Sequence, residues 1–315
     1  MAAAAALPRC ECVPLPGHQV SLRIDGRERC RWHHGAEYPR PFFWPLVAPR
    51  SDESLTRIGH PGAPNHDHHR SVWFAHAKVQ GVDFWSENTK ARIEQKEWLL
   101  YEDADDEAAM AVRLEWRDGH DAAPLLTQDL IATLRPQEDD EYVLDLETVF
   151  TPRSPDLEFQ QSNFGVLAVR VARSLSTHFG GGTLSNSEGK TGEPEIFGQP
   201  ARWVDYSGPI CQRDTRDAIE AGVTYFSHPS NGASFPRWHV RADGWMGCSL
   251  TYEAPRTIRR ESPLHLRYLL YVHGGKGDPD RAARVWDEWT RRPARRVVKS
   301  MQPHRMFELQ PVPTA

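Results

Sequence analysis

Residues 65–85 read Asn-His-Asp-His-His-Arg-Ser-Val-Trp-Phe-Ala-His-Ala-Lys-Val-Gln-Gly-Val-Asp-Phe-Trp. His66, His68 and His69 can carry protons or bind a metal near neutral pH, Arg70 adds a permanent cation, and Trp73 and Trp85 add flat apolar faces. That mixture suits a pocket that holds a polar, ring-shaped ligand and moves a proton on it. On an extended backbone His66 and His68 point the same way and His69 the opposite way. A His-x-His pair can place two imidazoles on a divalent metal, but a third ligand must then come from elsewhere, with His228, His239 and Glu188 available. The alternative is that these histidines hydrogen-bond loop carbonyls around a turn built on Pro61, Gly62 and Pro64. Asp83, beside Trp85, either accepts two hydroxyl hydrogen bonds or serves as a turn aspartate next to a core tryptophan.

Other polar groupings follow. Ser185-Asn186-Ser187-Glu188-Gly189-Lys190-Thr191-Gly192 comes just after three glycines, but no glycine precedes Lys190 at the spacing of a phosphate-binding loop, so nucleotide binding is excluded. Glu188 remains a carboxylate that could act as general acid or base, or a solvated loop residue. Arg202-Trp203-Val204-Asp205-Tyr206, Ser227-His228-Pro229-Ser230-Asn231 and Arg237-Trp238-His239-Val240-Arg241 each combine an aromatic or imidazole ring with hydrogen-bonding side chains near a turn. Indole faces stack on the C–H faces of sugar rings while amides, carboxylates and imidazoles satisfy the hydroxyls. The eleven tryptophans exceed what core packing alone explains.

The elements that must carry these groups are mostly strands. Val20, Leu22 and Ile24 alternate with polar residues and run into Asp25-Gly26, a strong hairpin signal. Val112, Leu114 and Trp116 share one face, as do Tyr142, Leu144, Leu146, Thr148 and Phe150, and again Leu264, Leu266, Tyr268, Leu270 and Val272. Glu102–Glu107 reads as a hairpin tip. Asp278-Pro279 supplies a cap and a first-turn proline, after which Ala282, Val285, Trp286 and Trp289 recur at helical spacing, predicting one helix lying outside the sheets near the C-terminus. These signals predict an all-β fold, a large antiparallel β-sandwich with a C-terminal helix. Residues 1–15 are expected to be a disordered N-terminus, 16–300 a single β-sandwich domain, and 301–315 a tail.

The net charge of −5, with no basic run, argues against nucleic-acid binding. No stretch approaches the ~18 apolar residues that a membrane span needs. The Ala2–Ala6 run is too short for a signal-peptide core, which points to a cytoplasmic protein. Cys10, Cys12, Cys30, Cys211 and Cys248 are odd in number and irregularly spaced, so neither a disulfide framework nor a zinc knot is expected.

His66-Asp67-His68-His69-Arg70-Ser71 with Gly81-Val82-Asp83-Phe84-Trp85 resembles the signature of a bacterial family catalogued as PmoA-like. Asn163-Phe164-Gly165, Asn186-Ser187-Glu188-Gly189, Trp203-Val204-Asp205-Tyr206-Ser207-Gly208 and His228-Pro229-Ser230-Asn231 with Trp238-His239-Val240-Arg241 follow in the same order, so the resemblance spans roughly residues 40–290. Asp67 stands where the family usually has proline, Gln161 near a position that is often acidic, and Ser227 where aspartate is usual. The methane-oxygenase label does not fit, because such a membrane subunit needs spanning helices. The resemblance implies a galactose-mutarotase-type β-supersandwich, and work on carbohydrates alongside sugar oxidoreductases of the Gfo/Idh/MocA type.

The leading expectation is a carbohydrate-active enzyme that moves a proton on a sugar or keto-sugar, as an epimerase, a mutarotase or a β-eliminating lyase of a glycoside, with no cofactor required. His68 or His69 would be one member of the acid–base pair and Glu188 or His228 the other. Arg70 would neutralise a developing enolate. Trp85, Trp203 and Tyr206 would form walls, and His66, Asp83, Asn163, Asn186, Asn231 and His239 would hold the substrate. The alternatives are a two-carboxylate glycoside hydrolase, a non-catalytic sugar-binding protein, and a metal enzyme using His66 and His68.

Overall fold

The computed structural model describes residues 7–60, 66–212 and 215–312. Strands alternate apolar and polar residues, and two large antiparallel sheets bury their apolar faces against each other. The first sheet runs in the order β1 (Cys10–Leu15), β2 (Gln19–Ile24), β3 (Arg27–His33), β4 (Phe42–Leu46), β5 (Val72–His76), β11 (Gly165–Arg170), β16 (Trp245–Ser249), β15 (Arg237–Arg241). The second runs β12 (Thr183–Asn186), β13 (Trp203–Cys211), β14 (Ala218–Ser227), β18 (Leu264–Gly274), β9 (Tyr142–Pro152), β8 (Leu126–Pro136), β7 (Ala108–Arg117), β6 (Arg92–Asp103). Two small pairs complete the strands: β10 (Asp156–Phe159) with β17 (Arg256–Arg259), and β19 (Arg295–Lys299) with β20 (Phe307–Pro311).

The shared core contains Met110, Val112, Leu114 and Trp116 of β7, Tyr142, Leu144 and Leu146 of β9, and Leu266, Tyr268 and Leu270 of β18. All but Met110 are period-two positions that the sequence singles out. Asp25 and Gly26 both take left-handed backbone between β2 and β3, with φ of 52° and 74°, as a two-residue hairpin turn requires.

The outer face of the second sheet is covered twice. After the one-turn helix α1 (Glu193–Ile196), helix α2 (Pro279–Arg291), capped by the Asp278 carboxylate accepting from the amides of Asp280 and Arg281, lays Ala282, Trp286 and Trp289 over Val143, Trp203, Phe226, Leu269 and Tyr271. The β19–β20 pair covers Leu99, Leu100, Ala111 and Ile131.

Two expectations change at the chain ends. Cys10–Leu15, placed in a disordered start, form β1, because Cys10 and Cys12 are buried in the core and the strand pairs along its length with β2. The Ala2–Ala6 run lies outside the described residues. Within 301–315, expected to be a tail, Phe307–Pro311 pair with β19 and contribute Phe307 and Leu309 to an apolar cluster. The five cysteines are free, and all but Cys211 are buried. Among the described residues no helix is long and apolar enough to cross a membrane.

Candidate functional site

The first sheet keeps its outer face over strands β5, β11, β16 and β15, and there the alternation turns chemical side chains outward. In β15, Trp238 and Val240 face the core while His239 and Arg241 face out. The registers align two rows across this face. One contains Trp73, Ala168, Gly247 and His239, and the next contains Arg170, Trp245 and Arg241. Ala168 and Gly247 leave a hollow between larger neighbours, and the Trp245 indole folds into it: a Cβ on Gly247 would stand 2.7 Å from Trp245 Cζ2. The result is a cavity of about 450 Å³, within the usual small-molecule range of ~300–1,000 Å³.

Two loops wall the cavity. One brings His66, His68 and His69; the other brings Asp83, Trp85 and Ser86. Arg40, 1% exposed, fastens them together, donating to the His68 carbonyl (3.2 Å) and to the carbonyls of Trp85 (2.7 Å) and Ser86 (3.2 Å). Asp83 is a turn aspartate at the cavity wall. Its Oδ1 accepts from the amides of Trp85 (2.7 Å) and Ser86 (3.1 Å), closing a turn, while the residue also lines the cavity.

Six rings close a circuit around the cavity. His239 touches Phe164 (centroids 4.8 Å), Phe164 touches Trp85 (5.3 Å), Trp85 touches His68 (6.1 Å), His68 touches His69 (4.4 Å), His69 touches Trp245 (5.2 Å), and Trp245 returns to His239 (5.8 Å). Trp85 and Trp245 also meet edge to face at 5.2 Å, so they divide the circuit, with His239 on one side and His68 on the other.

The imidazoles differ in what they can do. His69 is buried between Trp73 and Trp245, and burial, followed by the charges of His68 and Arg170, drives its pKa far down, so its ring stays neutral. Burial also lowers His239, to about 4, against the opposing bond to the Asn163 carbonyl. That carbonyl can only accept, so His239 Nδ1 carries the proton (3.0 Å) and Nε2 is left as the lone-pair nitrogen. Burial lowers His66 as well, helped by His60 and Arg170.

Two charged members, Arg170 and Asp243, come from outside the sequence motifs. Arg170 is fully buried and donates Nη1 to Asp243 Oδ1 (2.8 Å), while His60 Nε2 lies 3.3 Å from Asp243 Oδ2. Burial would raise the Asp243 carboxyl, but the Arg170 bond and charge, with His60 and His66, hold it below the usual carboxylate range. Arg241 pairs with Glu193 (2.8 Å) and stacks over Phe197.

Of the expected site residues, His66, His68, His69, Asp83, Trp85 and His239 come together here. Asn163 contributes through its carbonyl, and Tyr206 from behind, its hydroxyl donating to the Arg241 carbonyl (2.6 Å). Arg70 does not line the cavity; a bidentate pair with Glu87 (2.7 and 2.8 Å) holds it over the Tyr38 and Phe42 rings. Glu188 sits exposed on the turn after β12, where Asn186 Oδ1 accepts from the Glu188 and Lys190 amides. Trp203 is packed under α2. His228 and Asn231 belong to the end of β14: Arg267 donates to His228 Nε2 (3.1 Å), burial and then Arg267 lower the ring to about 4, and Asn231 ties Ser227 to the Arg267 backbone. None of Glu188, His228, Asn186, Trp203 or Asn231 lines the cavity, because their strands belong to the second sheet or to its connections. The proposed turn of Pro61, Gly62 and Pro64 lies outside the described residues.

His66 and His68 stack nearly parallel with centroids 5.9 Å apart, but among the described residues no group of three or more His, Cys, Asp or Glu side chains is arranged to hold a metal ion. Among the described residues nothing completes a metal site around this pair, so no chemical step is routed through one. Sequence reasoning missed Arg40, Arg170, Asp243 and Trp245. A lone arginine in the apolar run Gly165-Val-Leu-Ala-Val-Arg170 was the available signal, since a cation on a buried strand needs a reason.

A family model described as "Family of unknown function (DUF6807)" matches residues 19–287, most of the chain and all of the cavity-forming strands. The chain belongs to DUF6807. No curated protein matches this DUF6807 member. Among solved structures, one from Salmonella typhimurium titled a "putative mutarotase" is similar at 13% identity, covering 84% of this chain and 97% of that one with a TM-score of 0.31. At that level the likeness supports no statement about chemistry in this DUF6807 protein.

Proposed function

We propose that this protein is a carbohydrate-active enzyme that moves a proton on a sugar or keto-sugar, with the ring seated on Trp85 and Trp245. The observation that carries this reading is the placement of His239 and His68 on opposite sides of that indole pair. A ketone acidifies the adjacent C–H, so one base and one acid suffice for epimerisation or for β-elimination of a glycosidic bond. His239 is the base: its tautomer is fixed by Asn163, its Nε2 accepts the proton, and the negative charge developing on the enolate raises its basicity at that moment. Arg170, rather than Arg70, is the cation placed to balance that enolate. His68 faces the other side of the ring and returns or delivers the second proton. The PmoA-like signature supports the same chemistry, in which a Gfo/Idh/MocA-type oxidoreductase would supply the ketone.

The test is incubation with a panel of glycosides and their keto derivatives in deuterated water, followed by mass spectrometry. Deuterium uptake at carbon without cleavage marks an epimerase, and cleavage with exchange marks a lyase. Full exchange by His239→Asn and His68→Asn would end the proposal. Hydrolysis by two carboxylates is the second reading, because Asp83 and Asp243 both line the cavity. Asp243 is already held by Arg170 and depressed in pKa, which disfavours it as a proton donor. Cleavage that incorporates heavy oxygen from water with no C–H exchange would select the hydrolase.

A further inference from the structure

A second cavity, of about 280 Å³, opens where β14 and β16 end, against the middle of β18, and it shares no lining residue with the first. Its inner wall includes Tyr268, whose ring packs in the main core beside Phe74 and Tyr225 and which is only 1% exposed. The Tyr268 hydroxyl makes no hydrogen bond to any described residue and is not sealed in the core, so it opens on the cavity. A phenol that opens on a cavity with no protein partner can donate to an acceptor bound there. The second feature is Arg256, half-buried at the start of β17. Its Nη1 donates to the Asn231 carbonyl (2.8 Å), and among the described residues no carboxylate lies within ion-pair distance of it. The other charges on this wall cancel, since Arg237 pairs with Glu253 at 2.6 Å. Burial lowers the Arg256 pKa, the signature of a cation that has lost water without gaining a counter-charge.

We propose that this cavity is a binding site for a small oxyanion, a carboxylate or a phosphate, held by the Arg256 guanidinium and the Tyr268 hydroxyl. Both groups donate, the guanidinium keeps N–H donors beyond the one given to Asn231, and guanidinium with hydroxyl is a common pairing for oxyanion recognition. The volume, below that of most drug-sized pockets, limits the ligand to a small molecule or to the acidic end of a larger one.

Calorimetric titration with sodium acetate and with sodium phosphate, at ionic strength fixed with chloride, tests the site in the full chain. One anion per chain is expected. Arg256→Gln should weaken binding roughly tenfold or more, and Tyr268→Phe, which removes one oxygen, roughly three- to tenfold. If Arg256→Gln does not fold, Arg256→Lys keeps the charge with fewer donors and should give an intermediate loss. His239→Asn should bind the anion as the unmodified protein does. The proposal is overturned if neither anion binds, if the Arg256 and Tyr268 variants bind with unchanged affinity, or if His239→Asn abolishes binding, which would place the anion in the first cavity. Preference for acetate or for phosphate identifies the source of the oxyanion.

Discussion

His239 spends its Nδ1 proton on the Asn163 carbonyl, and burial holds the ring near a pKa of 4, so it is a neutral acceptor above about pH 4. A base acts when deprotonated, so kcat/KM should fall as the pH drops through about 4. An acid limb that persists in His239→Asn would move the base to another residue. Arg40 works at a distance from the reacting atoms, as the one donor shared by the His68, Trp85 and Ser86 carbonyls. Arg40→Met should cost about 3 kcal/mol in urea unfolding, because buried acceptors and Glu87 lose a partner. It should weaken sugar affinity as well, since two walls of the cavity come loose together, and Arg40→Lys should recover part of the stability. Unchanged affinity in Arg40→Met would show that the loops hold themselves in place.

At the scale of strands, the cavity depends on a missing side chain. Gly247→Ala puts a methyl 2.7 Å from the Trp245 indole, which is buried and stacked on His69 and cannot yield easily. The expected cost is about 1–3 kcal/mol, with sugar binding reduced further because the indole is pushed out of the hollow into the cavity. Wild-type affinity in that variant would mean that Trp245 is not part of the floor. The strands themselves were legible: Val112 to Trp116, Tyr142 to Phe150 and Leu264 to Val272 alternate cleanly because one face of each meets the core. The helix was legible from Asp278-Pro279 and the spacing of Trp286 and Trp289. Half of the site was readable too, because His66, His68, His69, Asp83 and Trp85 fall within a short span whose composition no core would choose. The rest was not, since which strand lies beside which is a long-range property. β5 pairs with β11, and β11 with β16, across separations that no local pattern records. No local pattern therefore joins Arg170 to Asp243, while Glu188 and His228, chemically suitable, lie on connections of the other sheet.

For the molecule as a whole, His69, His76 and His239 are buried with pKa values lowered from 6.5, first by burial, with His76 and His239 near 4. Between those values the unfolded chain takes up protons that the folded chain refuses, so stability must decline as the pH falls below about 6.5. Each ring contributes roughly 2 kcal/mol of loss by about pH 4.5, at ~1.4 kcal/mol per unit. Urea midpoints should fall over that interval, and midpoints that stay level would contradict the burial of these rings. The β19–β20 pair does more than finish the chain. Arg295 gives its guanidinium to Glu107 (2.7 Å) and its amide to the buried Glu147 (2.8 Å), and Phe307 and Leu309 roof the apolar cluster of Leu99 and Ile131. A protease cut that released everything after Pro293 would bare both an anionic interior and a greasy sheet surface. Light scattering should then register self-association, which makes the last strands a guard against aggregation as much as a part of the architecture.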